Sequence, residues 1–153
     1  MSALAPLALP YGAMAGEVRI LGAGDERLLL SFLENHLDSS IFLLSNAERG
    51  GLVDRGEALQ ATYAAYLRDG AITAVAAHGW NGNVLVQGDE GLEAAAVSAV
   101  SASGRPVNGI IGPRALAMRT RAALGLDDAP VARALENRLF VLDLGKLRAS
   151  GST

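Results

Sequence analysis

The stretch Val84-Leu85-Val86-Gln87-Gly88-Asp89-Glu90-Gly91-Leu92 decides how the rest of the chain is organised, because a strand changes into a helix there. Residues 84–86 are apolar and favour a buried strand, and the alanine-rich residues 92–102 favour a helix. Many α/β proteins bind a phosphate where a strand meets a helix N-terminus, since free backbone N–H groups and the helix dipole both attract an anion. The position of this loop therefore indicates a candidate phosphate site.

The charge of the loop opposes that use. Asp89 is a predicted N-cap of the helix, and Asp89 and Glu90 both suit the positive end of the helix dipole. A phosphate about 5 Å from either carboxylate would be repelled by roughly 3 kcal/mol at an effective dielectric constant of about 20. We therefore expect a loop that has the shape of a phosphate site but not its charge.

The composition excludes several classes of function. The chain has 153 residues and no cysteine, which removes disulfides, thiolate catalysis and cysteine zinc sites. His36 and His78 lie far apart in sequence and do not have the spacing of a ligand pair, so we predict no metal site. The net charge of −3 gives no electrostatic footprint for nucleic acid. Because 50% of the residues are hydrophobic and only 19% are charged, we expect part of the surface to be buried against a partner.

The length corresponds to one domain, which we place at residues 17–147. Residues 1–16 are rich in alanine, leucine and proline and lack the basic start of a signal peptide, so we expect a flexible leader. We expect residues 148–153 to form a flexible tail. No apolar run is long enough to span a membrane, and we expect a cytoplasmic protein without a membrane partner.

Hydrophobic periodicity and turn residues predict the element order β-α-α-β-β-β-α-β-α-β. The predicted strands are residues 17–21, 60–67, 71–78, 83–87, 107–111 and 139–144, and the predicted helices are residues 26–36, 41–49, 92–102 and 113–124. Asp25 and the run Asp38-Ser39-Ser40 are the expected caps of the first two helices. This order predicts an α/β (α+β) fold in three layers, with helices on both faces of a mixed, mostly antiparallel sheet.

Two turns connect the three central strands. Arg68-Asp69-Gly70 is predicted to join the first two of them. Asn81-Gly82 is predicted to form a two-residue type I′ loop, because both central residues of that turn need a positive φ and Asn-Gly is the strongest short signal for it. The three strands should therefore form an antiparallel meander with one buried face.

Four stretches of sequence accompany this order of elements. They are Ser39-Ser40-Ile41-Phe42-Leu43-Leu44-Ser45-Asn46, Ala76-Ala77-His78-Gly79-Trp80-Asn81-Gly82-Asn83, Gly109-Ile110-Ile111-Gly112-Pro113 and Ala122-Ala123-Leu124-Gly125-Leu126. With the element order, they resemble the GCN5-related N-acetyltransferase (GNAT) family. More narrowly, the chain resembles the N-terminal domain that some bacterial GNAT proteins place before a second, catalytic GNAT domain. The resemblance covers about residues 17–147 and implies a GNAT-like fold.

The cofactor loop of this family is only partly present. GNAT enzymes hold the acetyl-CoA pyrophosphate on a Q/R-x-x-G-x-G/A loop, and Gln87 is a suitable start for it. Glu90 and Leu92 stand where the pattern needs small residues, while Gly88 and Gly91 lie at other offsets. The resemblance therefore gives Gln87, Gly88 and Gly91 as a degenerate candidate for cofactor binding.

The catalytic residues of the family are also missing. Residues 113–124 contain no tyrosine to protonate the leaving thiolate, and residues 84–86 contain no carboxylate to act as general base. No catalytic residue is therefore predicted. The resemblance implies a non-catalytic domain with a structural or docking role, which has a catalytic GNAT domain as its partner and needs no cofactor. Two alternatives stay open, namely an active N-acetyltransferase that uses acetyl-CoA, and a small-molecule sensor that uses the same cleft without chemistry.

His78, Trp80 and Asn81, around the predicted hairpin, are the candidate cleft residues. In a cleft, the indole could stack on a ligand and the imidazole could form a hydrogen bond to it. The structural alternative is that Trp80 covers the edge of the sheet and that backbone groups bind His78. Tyr63 and Tyr66, three residues apart on one strand, should point to opposite faces.

The last predicted helix and strand differ in character. Arg114, Arg119 and Arg121 give the helix a charged face, which favours solvent, with recognition of an acid as the alternative. The strand at residues 139–144 is almost continuously apolar, which indicates burial on both faces or an edge that attracts another strand. We therefore expect a two-fold homodimer that forms through this strand and the helices beside it.

Overall fold

A computed structural model describes residues 16–138 and Gly145. The strands are β1 (Glu17–Ile20), β2 (Ala61–Arg68), β3 (Ala71–Gly79), β4 (Asn83–Gly88) and β5 (Gly109–Ile111). The helices are α1 (Glu26–Glu34), α2 (Ile41–Gly50), α3 (Leu92–Ser103) and α4 (Arg114–Ala123), and a 3-10 turn (Leu37–Ser39) precedes α2. Each element predicted in this part of the chain is present. The predicted strand at residues 139–144, the tail and all of the leader except Gly16 lie outside the described residues.

The five strands form one mixed sheet in the order β1-β2-β3-β4-β5. Neighbours from β1 to β4 pair antiparallel, and β5 pairs parallel with β4. The parallel pair is possible because α3 returns the chain along the sheet before β5 begins. The prediction of an α+β fold with a mixed, mostly antiparallel sheet is confirmed. Within the described part of the chain, no helix has both the length and the apolar character needed to cross a bilayer.

Helices pack on both faces of the sheet, because successive side chains of a strand point to opposite sides. On one face, Leu29 and Leu33 of α1 belong to a cluster that contains the fully buried Tyr63 of β2. On the other face, the alanines of α3 pack against alanines and valines of β2, β3 and β4. Tyr66 belongs to this second cluster, so the prediction that Tyr63 and Tyr66 point to opposite faces is confirmed.

The type I′ turn lies between β2 and β3. Arg68 pairs with Ala71, which leaves a loop of two residues. Both of these residues have a positive φ, 51° for Asp69 and 78° for Gly70. This is the geometry that matches the twist of the flanking strands, and Asp-Gly is one of its preferred sequences.

The predicted type I′ loop at Asn81-Gly82 is wrong. Gly82 has a φ of 81°, but Asn81 is not among the described residues with a positive φ. The Gly82 N–H donates to the Gly79 carbonyl at 2.9 Å, so the chain turns over one more residue than predicted. The reason is tertiary, because the Gly82 carbonyl accepts hydrogen bonds from the Asn108 N–H and from the His78 ring.

The first two predicted caps are in place, but their side chains have other partners. Asp25 occupies the N-cap position of α1, and its carboxylate accepts hydrogen bonds from the Gly22 N–H and from Arg19 instead of capping the helix. Ser40 occupies the N-cap position of α2, and its hydroxyl accepts a hydrogen bond from Gln87. Both residues therefore tie a helix start to the neighbouring structure.

Candidate functional site

A cleft of about 400 Å³ lies near the β5 edge of the sheet, where α2, the β3–β4 hairpin and the strands β4 and β5 meet. Volumes of this size are typical of sites that bind small molecules. The lining residues are Phe42, Ser45, Asn46 and Arg49 of α2, Leu59 of the loop that precedes β2, Trp80 and Asn81 of the hairpin, Asn83 and Leu85 of β4, and Ile111 of β5. Trp80 and Asn81 are the sequence-derived cleft candidates that the structure places here.

Three apolar side chains of this cleft are exposed. Phe42, Ile111 and Trp80 are 65%, 41% and 36% exposed. Burial of apolar surface stabilises a complex by roughly 25 cal/mol per Å², so a molecule that covers these side chains would be bound more tightly. Contiguous exposed apolar surface with a polar rim is typical of a binding site.

Four polar side chains of the lining have no partner within the described residues. Ser45, Asn46, Arg49 and Asn83 form no side-chain hydrogen bond or ion pair there. Asn81 is partly used, because its side-chain oxygen accepts the Asn83 N–H at 3.1 Å. Polar groups that converge on a cleft without an internal partner are free to orient a ligand.

Sequence reasoning missed the contribution of α2, although the sequence contains a signal for it. Phe42, Asn46 and Arg49 follow the spacing of one helical stripe, while the buried Leu43 and Ala47 mark the stripe that faces the core. Phe42 interrupts the outer stripe with an aromatic ring, which an ordinary solvent face does not need. What the sequence could not give was the position of this stripe beside the hairpin.

His78 does not line the cleft but lies behind the hairpin, fully buried. Its Nε2 atom lies 3.2 Å from the carbonyl oxygens of both Gly82 and Pro106, so Nε2 carries a proton and donates. Burial lowers the pKa of His78, which favours the neutral ring. Nδ1 then accepts a hydrogen bond from the Ser103 hydroxyl at 2.5 Å. The imidazole fixes the hairpin and therefore the position of Trp80.

An ion pair holds the loop that carries Leu59 to the cleft. Arg105 donates to the Asp54 carboxylate at 2.6 Å and to the His78 carbonyl at 3.1 Å. Asp54 also accepts the Thr62 hydroxyl at 2.7 Å. The hydrogen bond from Arg105 is the main cause that lowers the pKa of Asp54 to about 2.

The candidate cofactor residue Gln87 is used inside the protein. Its side chain is almost fully buried, and Nε2 donates to the hydroxyls of Ser39 at 2.6 Å and Ser40 at 2.9 Å. Its Oε1 atom accepts the N–H of Gly88 at 2.9 Å. The amide therefore connects the end of β4 to the start of α2 and presents no free atom to a cofactor.

The two glycines of the loop are close-packed against their neighbours. A Cβ atom at Gly88 would overlap the Thr73 carbonyl and approach the ring of Phe32. A Cβ atom at Gly91 would overlap the ring of Tyr66. Both residues also have a positive φ, so their lack of a side chain serves the packing of the loop on the sheet.

The acidic residues of the loop are paired with arginines. Arg119 of α4 forms an ion pair with Asp89 and donates to both carboxylate oxygens of Glu93, at 2.7 and 3.0 Å. Glu90 pairs with Arg68. The prediction that Asp89 caps α3 is wrong, because Gly91 occupies the N-cap position and Arg119 draws Asp89 away. The acidic partners of Arg119 thus lie within its own chain, and recognition of a bound acid by the α4 arginines stays a prediction.

No family model, curated protein or solved structure matches this chain. Among residues 16–138 and Gly145, no group of three or more histidine or acidic side chains is arranged to hold a metal ion. The two ends of β4 are the candidate sites, namely the cleft at its start and the loop at residues 87–91.

Proposed function

We propose that this chain is a non-catalytic domain of the GNAT type, which docks beside a catalytic GNAT domain or a second copy of itself. The order of its elements and its mixed sheet support the assignment to this type of fold. The resemblance of its sequence to the GNAT family is a second, separate support for this assignment. The proposal assigns the domain a binding role and no chemical step.

The observation that carries this proposal is the state of the loop at residues 87–91. The side-chain amide of Gln87 forms hydrogen bonds with Ser39, Ser40 and Gly88. Arg119 binds the acidic groups at the start of α3. A pyrophosphate would have to break these contacts before it reached the N–H groups of the helix. Gln87 already binds the Gly88 N–H, and the hydrogen bonds from Arg119 to the carboxylates are charge-assisted, so their displacement opposes binding.

Calorimetric titration with acetyl-CoA tests the absence of a cofactor site. We expect no binding tighter than about 1 mM, equivalent to about −4 kcal/mol. A micromolar dissociation constant would overturn the proposal and favour the active acyltransferase. Titration of an active GNAT enzyme under the same conditions provides the positive control.

The docking surface that we propose is the β5 side of the sheet together with the strand predicted at residues 139–144. In the part of the chain that the structure describes, β5 pairs with β4 alone, so its other side has backbone groups that a further strand could bind. The exposed side chain of Ile111 adds apolar surface beside them. We expect sedimentation at micromolar concentration to show a dimer, and a stable monomer would exclude the second copy as the partner.

One observation favours a second candidate function, a small-molecule sensor. The cleft combines exposed aromatic rings with polar side chains that have no partner among the described residues. This combination is typical of a ligand site. The role needs no chemistry and is compatible with a non-catalytic domain.

A further inference from the structure

The charge of the cleft indicates what kind of molecule it accepts. Among the described residues that line the cleft, Arg49 is the one with a charged side chain, and none has a carboxylate. We propose that the cleft binds a small planar anion, an aromatic ring that carries a carboxylate or a phosphate. This proposal deepens the sensor candidate above and rests on the cleft, not on the loop at residues 87–91.

Arg49 is available to an anion. Arg49 forms no ion pair with a carboxylate within the described residues. The other described arginines without one do not line the cleft, namely Arg27, Arg55, Arg121, Arg133 and Arg138. The planar guanidinium of Arg49 can donate two parallel hydrogen bonds to a carboxylate or a phosphate. The position of Arg49 in the last turn of α2 also suits the helix dipole, which is a purely structural reason for a cation there.

The aromatic side chains explain why the ligand should be planar. Phe42 and Trp80 both line the cleft and both expose their rings. Aromatic rings favour offset-stacked or edge-to-face contacts with another ring. His78 holds the backbone of the hairpin that carries Trp80, so this part of the cleft is in place before a ligand arrives and less ordering is needed on binding.

The remaining polar groups suit a small molecule better than a polymer. Asn46 and Asn83 can donate or accept hydrogen bonds at the rim of a ring, and the volume of about 400 Å³ admits one ring system with its substituents. A long polyanion would instead meet the net negative charge of the whole chain.

Fluorescence titration tests the proposal directly, because Trp80 is the one tryptophan of the chain. The probes form two matched pairs, benzoate with benzamide and adenosine monophosphate with adenosine. We expect a saturable change of Trp80 emission with at least one anion, with a Kd below about 1 mM, and binding of its neutral partner at least about tenfold weaker. The arm that responds distinguishes a carboxylate ligand from a phosphate ligand.

Variants of Arg49 separate anion binding from helix stability. Arg49→Gln should lower the affinity for the anion by about tenfold or more and leave the affinity for the neutral probe unchanged. Arg49→Lys should restore part of the lost affinity. Arg27→Gln is the matched control, since it removes the same charge from an exposed position on α1 that does not line the cleft. A lower melting temperature of Arg49→Gln with unchanged affinity would assign the residue to the helix dipole and overturn the proposal.

Three further outcomes would also overturn it. They are the absence of saturation with all four probes, equal affinity for both members of each pair, and an equal loss in Arg27→Gln and Arg49→Gln. A change of Trp80 emission with protein concentration alone would assign the cleft to a second copy of the chain. None of these outcomes affects the acetyl-CoA titration, so the two proposals can fail separately.

Discussion

The two ends of β4 differ in how their polar side chains are used. Gln87, at one end, has both ends of its amide bound within the protein. Asn83, at the other end, has a side chain with no partner among the described residues. Both residues point to the same face of the strand, since they are four positions apart. The contrast shows that the fold has satisfied its polar groups at the loop and left them free at the cleft.

This difference changes where function should be sought. The sequence draws attention to residues 87–91 because a strand meets a helix there, but the local geometry serves internal contacts. Arg119 and Arg68 pair with Asp89 and Glu90 and so reduce the repulsion that these carboxylates would exert on a phosphate. The main obstacle to phosphate binding is therefore that the protein's own groups already occupy the loop.

Substitution of the loop glycine should have the largest effect. Gly88→Ala places a Cβ atom against the Thr73 carbonyl at a positive φ, and we expect a loss of about 3 kcal/mol in the free energy of unfolding. Gly24→Ala is the control, because Gly24 also has a positive φ but open space around it, and about 1 kcal/mol is expected. Equal losses in urea unfolding would show that the loop is not close-packed.

Removal of the ion pair between Asp54 and Arg105, beside the cleft, should have the second-largest effect on the free energy of unfolding. The pKa of Asp54 is lowered to about 2, so its stabilisation is complete above the unfolded pKa of about 3.9 and is lost as the pH falls through 2. Asp54→Asn should cost about 2 kcal/mol at neutral pH and flatten the acid dependence of the free energy of unfolding. Asp38→Asn, at an exposed position, should change it by less than about 0.5 kcal/mol.

The contrast along β4 has its own test. Gln87→Leu leaves the Gly88 N–H and two serine hydroxyls without their partner, and should cost about 1.5 kcal/mol in the free energy of unfolding. Asn83→Leu removes a side chain that has no partner among the described residues, and should change it by less than about 0.5 kcal/mol. Similar losses from both variants would mean that the two ends of the strand do not differ.

The smallest effect is expected at the surface. Arg119→Gln removes ion pairs to Asp89 and Glu93 that are largely open to solvent, so it should cost no more than about 1 kcal/mol, and less at high salt. Arg27→Gln, at an exposed position of α1, serves as the control for loss of charge. A loss from Arg119→Gln that does not depend on salt would show that the pair is more buried than its exposure indicates.

The elements of the fold could be predicted because each depends on residues close in sequence. The alternation in β2 placed Tyr63 and Tyr66 on opposite faces. Glycines marked the ends of α2 and α3. The type of the β3–β4 turn could not be predicted, since it depends on contacts of Gly82 with His78 and Asn108.

The candidate site was harder to predict than the fold, because its residues come from separate elements. Trp80 and Asn81 could be proposed from the hairpin alone. Phe42 and Arg49 join them only because α2 packs beside that hairpin, which no local pattern specifies. For the same reason the partner of Asp89, 30 residues away at Arg119, could not be assigned from sequence.

The parallel pairing of β4 with β5 sets the order in which the molecule can fold. The contacts of β2, β3 and β4 are local, whereas β5 can join β4 only after the chain has passed through α3. Closing that longer loop costs more entropy than closing a hairpin, so we expect β5 to be added late. The cleft needs β5 as well as α2, and is therefore among the last features to form. A molecule that binds there would stabilise the final step by mass action.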